Sequence, residues 1–252
     1  MSERETVAYE CLEELGLAGL IVPYRRDGGL LRSEPADRLL HEDIELCGLY
    51  RECLQQLYAV RSGRFSPGIY SFYASGGLPE DGEPYCDYLL RQVRAFVESV
   101  RPLDDPILDQ FERLFYSGAQ RLERSLRAVD SFSLLHGDLY SQNILRCHGQ
   151  YRLIDPEYLR FGPVSLELAF LICWDSFCGD SPLPERGDFS RDLSLLKSGG
   201  IVTEEECGLI AGVFIPMFAC LAQAACKAGR FRAPESILLS LSRLAALWRE
   251  AP

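Results

Sequence analysis

The chain has 252 residues, 47% of them hydrophobic and 25% charged, with a net charge of -11. These values describe a globular chain able to bury a core as one large domain or two lobes, and they exclude a disordered or fibrous protein. The acidic balance argues against general binding to nucleic acid or to an anionic membrane, since both need a basic surface, but it leaves room for a local nucleotide pocket.

The first residues, MSERETVAYE, are charged and lack the apolar core of a signal peptide, so a cytoplasmic location is expected. From Glu3 to Leu15 the positions Val7, Ala8, Cys11, Leu12 and Leu15 recur at helical spacing, and Gly16 and Gly19 break the pattern. LIVPY and GLLRSE then predict two short strands around an Arg-Asp-Gly-Gly turn, with PAD as a connector. A long helix is expected over about 41–60, a loop over 63–82, and helices over about 85–100 and 106–129.

The texture then changes. FSLLHGDLYSQNILRCHGQYRLIDPEYLRFGP breaks into short apolar pieces, SLL, NIL and YRLI, and HGQ between the last two predicts a small β-hairpin. After Gly162 and Pro163 the chain reads as helical to the end, apart from a loop at about 178–190. The most apolar stretch, Leu209 to Cys226, is interrupted by Pro216 and Gln223 and reads as a buried helix kinked or split at Pro216 rather than a membrane span. Ten cysteines fit no zinc spacing and contain no CxxC pair, so they read as reduced core residues.

The chemistry concentrates in HGDLYSQNIL, residues 136–145, and in LIDPE beyond the hairpin turn. Asp138 and Asn143 are placed to share one short loop, with Asp155 entering twelve residues after Asn143. Phosphoryl transfer needs such a set. One carboxylate orients the attacking hydroxyl and takes its proton, while an amide oxygen and a second carboxylate hold Mg²⁺ against the nucleotide phosphates. The spacing matches the kinase pattern H-x-D-x-x-x-x-N. Alone, His136 reads as a core histidine and Asp138 as a turn cap, but order and spacing favour the chemical reading for both. For Glu157 a cap or an arginine partner stands level with the chemical reading.

HGDLYSQNIL followed by YRLIDPEYLRFGPVSLELAFLI resembles the aminoglycoside phosphotransferase and choline kinase group of kinase-like enzymes. The resemblance implies an α+β, protein-kinase-like fold with a mostly helical C-terminal lobe and an incomplete N-terminal lobe. Residues 1–37 would be the remnant of the nucleotide-binding lobe, and 38–252 the helical lobe with the catalytic loop. It implies Asp138 as catalytic base, His136 as support for the loop, and Asn143 and Asp155 as metal ligands. IDPE with FGP is similar to methylthioribose kinase, whose Asp-x-Glu would make Glu157 a further metal-side carboxylate. Glu167 stands where the wider family carries Asp in a D-L-A segment, in a structural role.

The implied cofactors are ATP and Mg²⁺, and the implied partner is a small-molecule hydroxyl substrate, with neither nucleic acid nor membrane. A lobe of this kind also carries a glycine loop and a lysine paired with a helix glutamate. Here no glycine precedes Gly16 and no lysine precedes Lys197, and Glu5 takes the place of that glutamate as the residue on the nucleotide side. Two functions remain open at this point: a phosphotransferase acting on a sugar, amino alcohol or aminoglycoside-like hydroxyl, or a truncated or degenerate kinase-like binding protein without activity.

Overall fold

A computed structural model describes residues 3–22, 24–27, 30–33, 35–40, 43–62, 132–178 and 189–211, together with Glu83, Asp87 and Arg91. The predicted loop at 63–82, the helix at 106–129 and the Pro216 region lie outside the described residues, as does the helix at 85–100 apart from Asp87 and Arg91, which are helical.

Helix α1 (Glu3–Glu14) forms as its apolar spacing predicts, burying Ala8, Tyr9 and Leu12 while Val7 stays exposed. It ends in a Schellman motif. Gly16, at φ 72°, donates its amide to Glu13 O at 3.0 Å, and Leu17 donates to Leu12 O at 2.8 Å. A short 3₁₀ turn (Ala18–Leu20) follows. Ile21 then bridges in parallel to Leu153, and the Val22 amide donates to Leu153 O at 3.0 Å.

The predicted hairpin is present as β1 (Tyr24–Asp27) and β2 (Leu30–Ser33), antiparallel with Tyr24 opposite Ser33. Its first strand starts later than the LIV sequence suggests, because Leu20, Ile21 and Val22 are instead buried against the central hairpin. PAD is not wholly a connector either. Asp37 and Arg38 form a short strand, β3, because Arg146 and Leu145 offer an open ladder edge opposite them.

The helix expected over 41–60 starts at Leu46, where the Glu45 side chain accepts the Cys47 amide at 3.1 Å. Helix α2 (Leu46–Leu49) passes through a π turn (Tyr50–Leu54) into α3 (Gln55–Ala59). Leu49, Cys53, Leu54, Leu57 and Tyr58 line its buried face. Strand β4 (Arg61–Ser62) leads away from it.

Two three-stranded sheets frame the central segment. In one, β5 (Phe132–Leu135) lies between β4 and β8 (Arg160–Gly162), with Leu135 opposite Arg160. In the other, β6 (Ile144–Cys147) lies between β3 and β7 (Gln150–Leu153). The β6–β7 turn is His148-Gly149, with φ 51° and 79°. Positive φ at both central residues is the primed geometry whose twist matches the strands, so HGQ turns where its sequence predicts.

Helix α4 (Val164–Cys178) follows, with Leu166, Leu168, Ala169, Phe170, Leu171 and Ile172 all buried. A helix apolar on every side belongs at the centre of a core. Helix α5 (Phe189–Ser198) and helix α6 (Glu204–Leu209) complete the described chain, the latter opened by a Thr203–Glu206 capping box. Among the described residues no helix is long and apolar enough to cross a membrane. Cys11, Cys47, Cys53, Cys147 and Cys207 are free thiols, and burial pushes Cys53 up to about 12, so it packs as a small hydrophobe.

Candidate active site

The 136–145 segment is held at both ends by core. Leu135, Leu139 and Ile144 have no exposed surface, so the polar residues between them have little freedom to leave the loop. His136 is buried, and its Nε2 donates to Ile154 O at 2.8 Å while Nδ1 faces the Asp138 amide at 3.4 Å. The carbonyl partner assigns the proton to Nε2. His136 therefore ties the start of the loop to the residue before Asp155. Burial holds its pKa down at about 4, against the opposing pull of its bonds to Ile154 and Asp138.

Gly137 turns the chain at φ 86°. A Cβ there would lie 1.9 Å from Tyr158 O, so only glycine allows the loop to close on the Tyr158 backbone. Its amide donates to Glu167 Oε2 at 2.6 Å, and Tyr58 OH donates to Glu167 Oε1 at 2.9 Å. Glu167, in the first turn of α4, thus clamps the loop from beneath, the structural place its sequence position implies. Burial raises its pKa, while the bonds from Gly137, His136 and Tyr58 and the charge of Arg160 act the other way.

Asp138 and Asn143 meet directly. Asn143 Nδ2 donates to the Asp138 backbone oxygen at 2.8 Å and to Asp138 Oδ2 at 3.1 Å. The Asn143 carbonyl in turn accepts the Ile154 amide at 3.1 Å, which brings the start of β6 beside the entry to Asp155. Asp155 is held at φ 57°, a left-handed conformation uncommon for a residue with a side chain, and it follows the end of β7 directly.

The carboxylates crowd one another. Burial and then the Asp155 charge push Asp138 up to about 6, with Asn143 and Arg160 opposing and Glu157 adding to the rise. Burial and Glu157 likewise raise Asp155. Tyr158 is raised by burial and by its hydrogen bond to Glu157. Such a concentration of like charge favours a bound cation. Among the described residues no three His, Cys, Asp or Glu side chains converge as a metal cluster, which does not suit zinc. Mg²⁺ asks for less, typically one or two carboxylates completed by phosphate and water. The carboxylates of Asp155 and Glu157 and the amide oxygen of Asn143 are donors of that hard type.

Five of the residues singled out in the sequence, His136, Asp138, Asn143, Asp155 and Glu157, therefore fall on one loop-and-hairpin unit. Glu5 lies apart in sequence, half-buried in the first turn of α1. Tyr58, Tyr158 and Arg160 carry interactions with the unit that sequence reasoning missed. Tyr58 acts across 109 positions, and no local pattern signals a partner so distant.

Helices, three small sheets among the described residues and an HxD loop joined by a hairpin to an aspartate define a protein-kinase-like fold. Solved structures of that fold are similar over nearly the whole chain. Choline kinase LicA from Streptococcus pneumoniae matches 98% of this chain and 80% of its own, with 15% identity and a TM-score of 0.57. Choline kinase from Cryptosporidium parvum Iowa II matches 97% and 78%, with 17% identity and a TM-score of 0.56. Aminoglycoside phosphotransferase from Alicyclobacillus acidocaldarius subsp. acidocaldarius DSM 446 matches 98% and 80%, with 16% identity and a TM-score of 0.54. No curated protein matches the sequence. The model of the phosphotransferase enzyme family, APH, matches residues 31–201, and the chain belongs to that family.

Proposed function

We propose that the protein is an ATP- and Mg²⁺-dependent phosphotransferase acting on a hydroxyl of a small molecule such as a sugar, amino alcohol or aminoglycoside. The observation that carries this is the direct contact of Asn143 with Asp138, on a loop whose other end adjoins Asp155. Asp138 is the base: it accepts the proton of the substrate hydroxyl as that oxygen attacks the terminal phosphate. A carboxylate with a pKa near 6 is a better proton acceptor than an ordinary aspartate and remains ionised at neutral pH. Asn143 fixes the Asp138 side chain with its amide nitrogen, which leaves the amide oxygen for a cation.

Asp155, Asn143 and Glu157 would hold Mg²⁺, which when bound neutralises phosphate charge. His136 supports the loop by spanning from its first residue to Ile154. Residues 1–37 belong with the nucleotide side, Glu5 among them, and 38–252 form the lobe that carries the base and the acceptor site. The substrate classes named for the similar structures, choline and aminoglycosides, define the first panel to test.

Turnover of ATP against sugars, choline-like amines and aminoglycosides tests the reading. Asp138→Asn is expected to lower kcat by roughly 10²- to 10⁴-fold on whichever acceptor is used. Mg-ATP is expected to raise the melting temperature, and Asp155→Ala to abolish that shift. An Asp138→Asn variant as active as the parent would sink the assignment, and a Mg-ATP shift that survives Asp155→Ala would remove Asp155 from the nucleotide site.

A further inference from the structure

Glu167 holds the loop with one oxygen and reaches outside it with the other. Its Oε2 accepts the Gly137 amide at 2.6 Å, and its Oε1 accepts the Tyr58 hydroxyl at 2.9 Å. Tyr58 and Glu167 are 4% and 1% exposed, so water is no substitute for either bond. A carboxyl group turns easily about its last torsion, which has only a broad preference of its own. A donor on each oxygen removes that freedom, and a hydroxyl bonded to a carboxylate makes one of the stronger hydrogen bonds available.

Tyr58 stands near the end of α3, and the chain just beyond it grips the strand that feeds the loop. Val60 O accepts the Leu134 amide at 2.9 Å, and Arg61 pairs with Ser133. Across the loop, the Tyr158 carbonyl occupies the place that a Cβ on residue 137 would take, so the backbone there has little room to shift. The 58–62 segment thus bears on the loop twice, through β5 before it and through Glu167 at Gly137.

We propose that Tyr58 is a positioning residue: its hydroxyl fixes the plane of the Glu167 carboxylate, which directs the Gly137 amide and so sets Asp138 against Asn143. Its effect on turnover rests on the reading of Asp138 as base; its hold on the loop does not. Without the hydroxyl, Glu167 Oε1 loses its donor from α3, the carboxylate turns, and the bond to Gly137 weakens. Asp138, one residue on, then loses its register with the Asn143 amide, which reaches its Oδ2 at 3.1 Å.

The hold on the loop can be read without any substrate. Hydrogen exchange of the Gly137 amide, followed by NMR in the full chain, is compared with that of Val22, whose amide donates to Leu153 O at 3.0 Å outside the clamp. In Tyr58→Phe the Gly137 amide is expected to exchange about fivefold faster relative to Val22, the factor that loss of one such bond implies. Equal acceleration at both amides, or none at Gly137, overturns the proposal. In a Glu167→Ala background the carboxylate is gone, and adding Tyr58→Phe is expected to change Gly137 exchange less than about twofold. A further acceleration as large as in the parent also overturns it, because the hydroxyl would then act by another route. If Glu167→Ala does not fold, Glu167→Leu, which fills the space but accepts no hydrogen bond, takes its place.

In the turnover assay Tyr58→Phe is expected to lower kcat about threefold or more, with KM for ATP within about twofold of the parent. An unchanged kcat overturns the role in catalysis. Fast Gly137 exchange in Tyr58→Phe alongside a fully active Asp138→Asn protein would keep Tyr58 as the residue that sets the loop and discard Asp138 as the base.

Discussion

The Gly137 amide and Glu167 Oε2 lie 2.6 Å apart although 30 positions separate them in the chain. The same carboxylate accepts the Tyr58 hydroxyl at 2.9 Å, so one side chain joins α3, α4 and the 136–145 loop. Glu167→Ala leaves two buried donors unsatisfied and is expected to cost about 3 kcal/mol, whereas Tyr58→Phe, which removes one neutral donor, should cost about 1 kcal/mol. Urea midpoints at unchanged slope measure both. A Glu167→Ala protein as stable as the parent would show that the clamp contributes nothing.

Gly137→Ala meets two obstacles at once, a φ of 86° and the Tyr158 carbonyl 1.9 Å from the new methyl. Backbone rather than a flexible side chain blocks the space, so relaxation must move the loop away from the Tyr158 backbone. A loss of at least about 2 kcal/mol is expected, together with loss of turnover. Gly149, also at positive φ but with open space around it, provides the control: Gly149→Ala should cost about 1 kcal/mol and leave activity intact.

Asp155 combines a left-handed backbone with repulsion from Glu157. Asparagine tolerates that backbone and carries no charge. Asp155→Asn is therefore expected to raise stability by about 0.5–1 kcal/mol in Mg²⁺-free buffer while removing the Mg-ATP thermal shift. Calorimetry with and without Mg-ATP reads the two effects separately, and a destabilised variant would contradict the repulsion argument.

His136 and Asp138 respond to acid in opposite senses. His136, held at about 4 in the folded chain against an ordinary 6.5, binds its proton more readily when unfolded, so its contribution is lost as pH falls from 6.5 to 4. Asp138, raised to about 6 from 3.8, binds its proton more readily when folded, so its contribution is present below 3.8 and lost as pH rises through 6. Each amounts to about 3 kcal/mol at the extreme, and the two nearly offset each other in the parent. Asp138→Asn removes one side of the balance. Relative to the parent, the variant should gain stability at pH 7 and lose that advantage by pH 4, as denaturation in Mg²⁺-free buffer across that range would reveal. A pH-independent difference between the two proteins would mean that Asp138 is not raised.

Much of the working segment was legible before any coordinates. The HGQ turn with the NIL and YRLI strands on either side of it, and the sharing of one loop by Asp138 and Asn143, follow from local rules. A two-residue primed turn sets hairpin register, and five residues cannot carry two side chains far apart. The helix 3–14 was equally plain from its spacing and Gly16. What local rules misjudged were LIV and PAD, because pairing with a distant edge decides whether a short apolar or polar run becomes strand. Leu153 claims Ile21, and Arg146 claims Asp37, for reasons no window around either residue contains.

The sequence alone therefore determined the order and spacing of the acidic and amide groups, and with them the family resemblance. Tertiary structure decided which groups bear on them. Tyr58 and Glu167 meet across 109 positions, and Arg160 comes to lie opposite Leu135, beside the start of the 136–145 loop, only because β8 pairs with β5. Burial supplies the rest. His136 and Asp138 have ordinary proton affinities as free side chains, and it is removal from water that moves them in opposite directions. Spacing along a chain carries no information about that removal, since burial depends on what the whole fold places on every side.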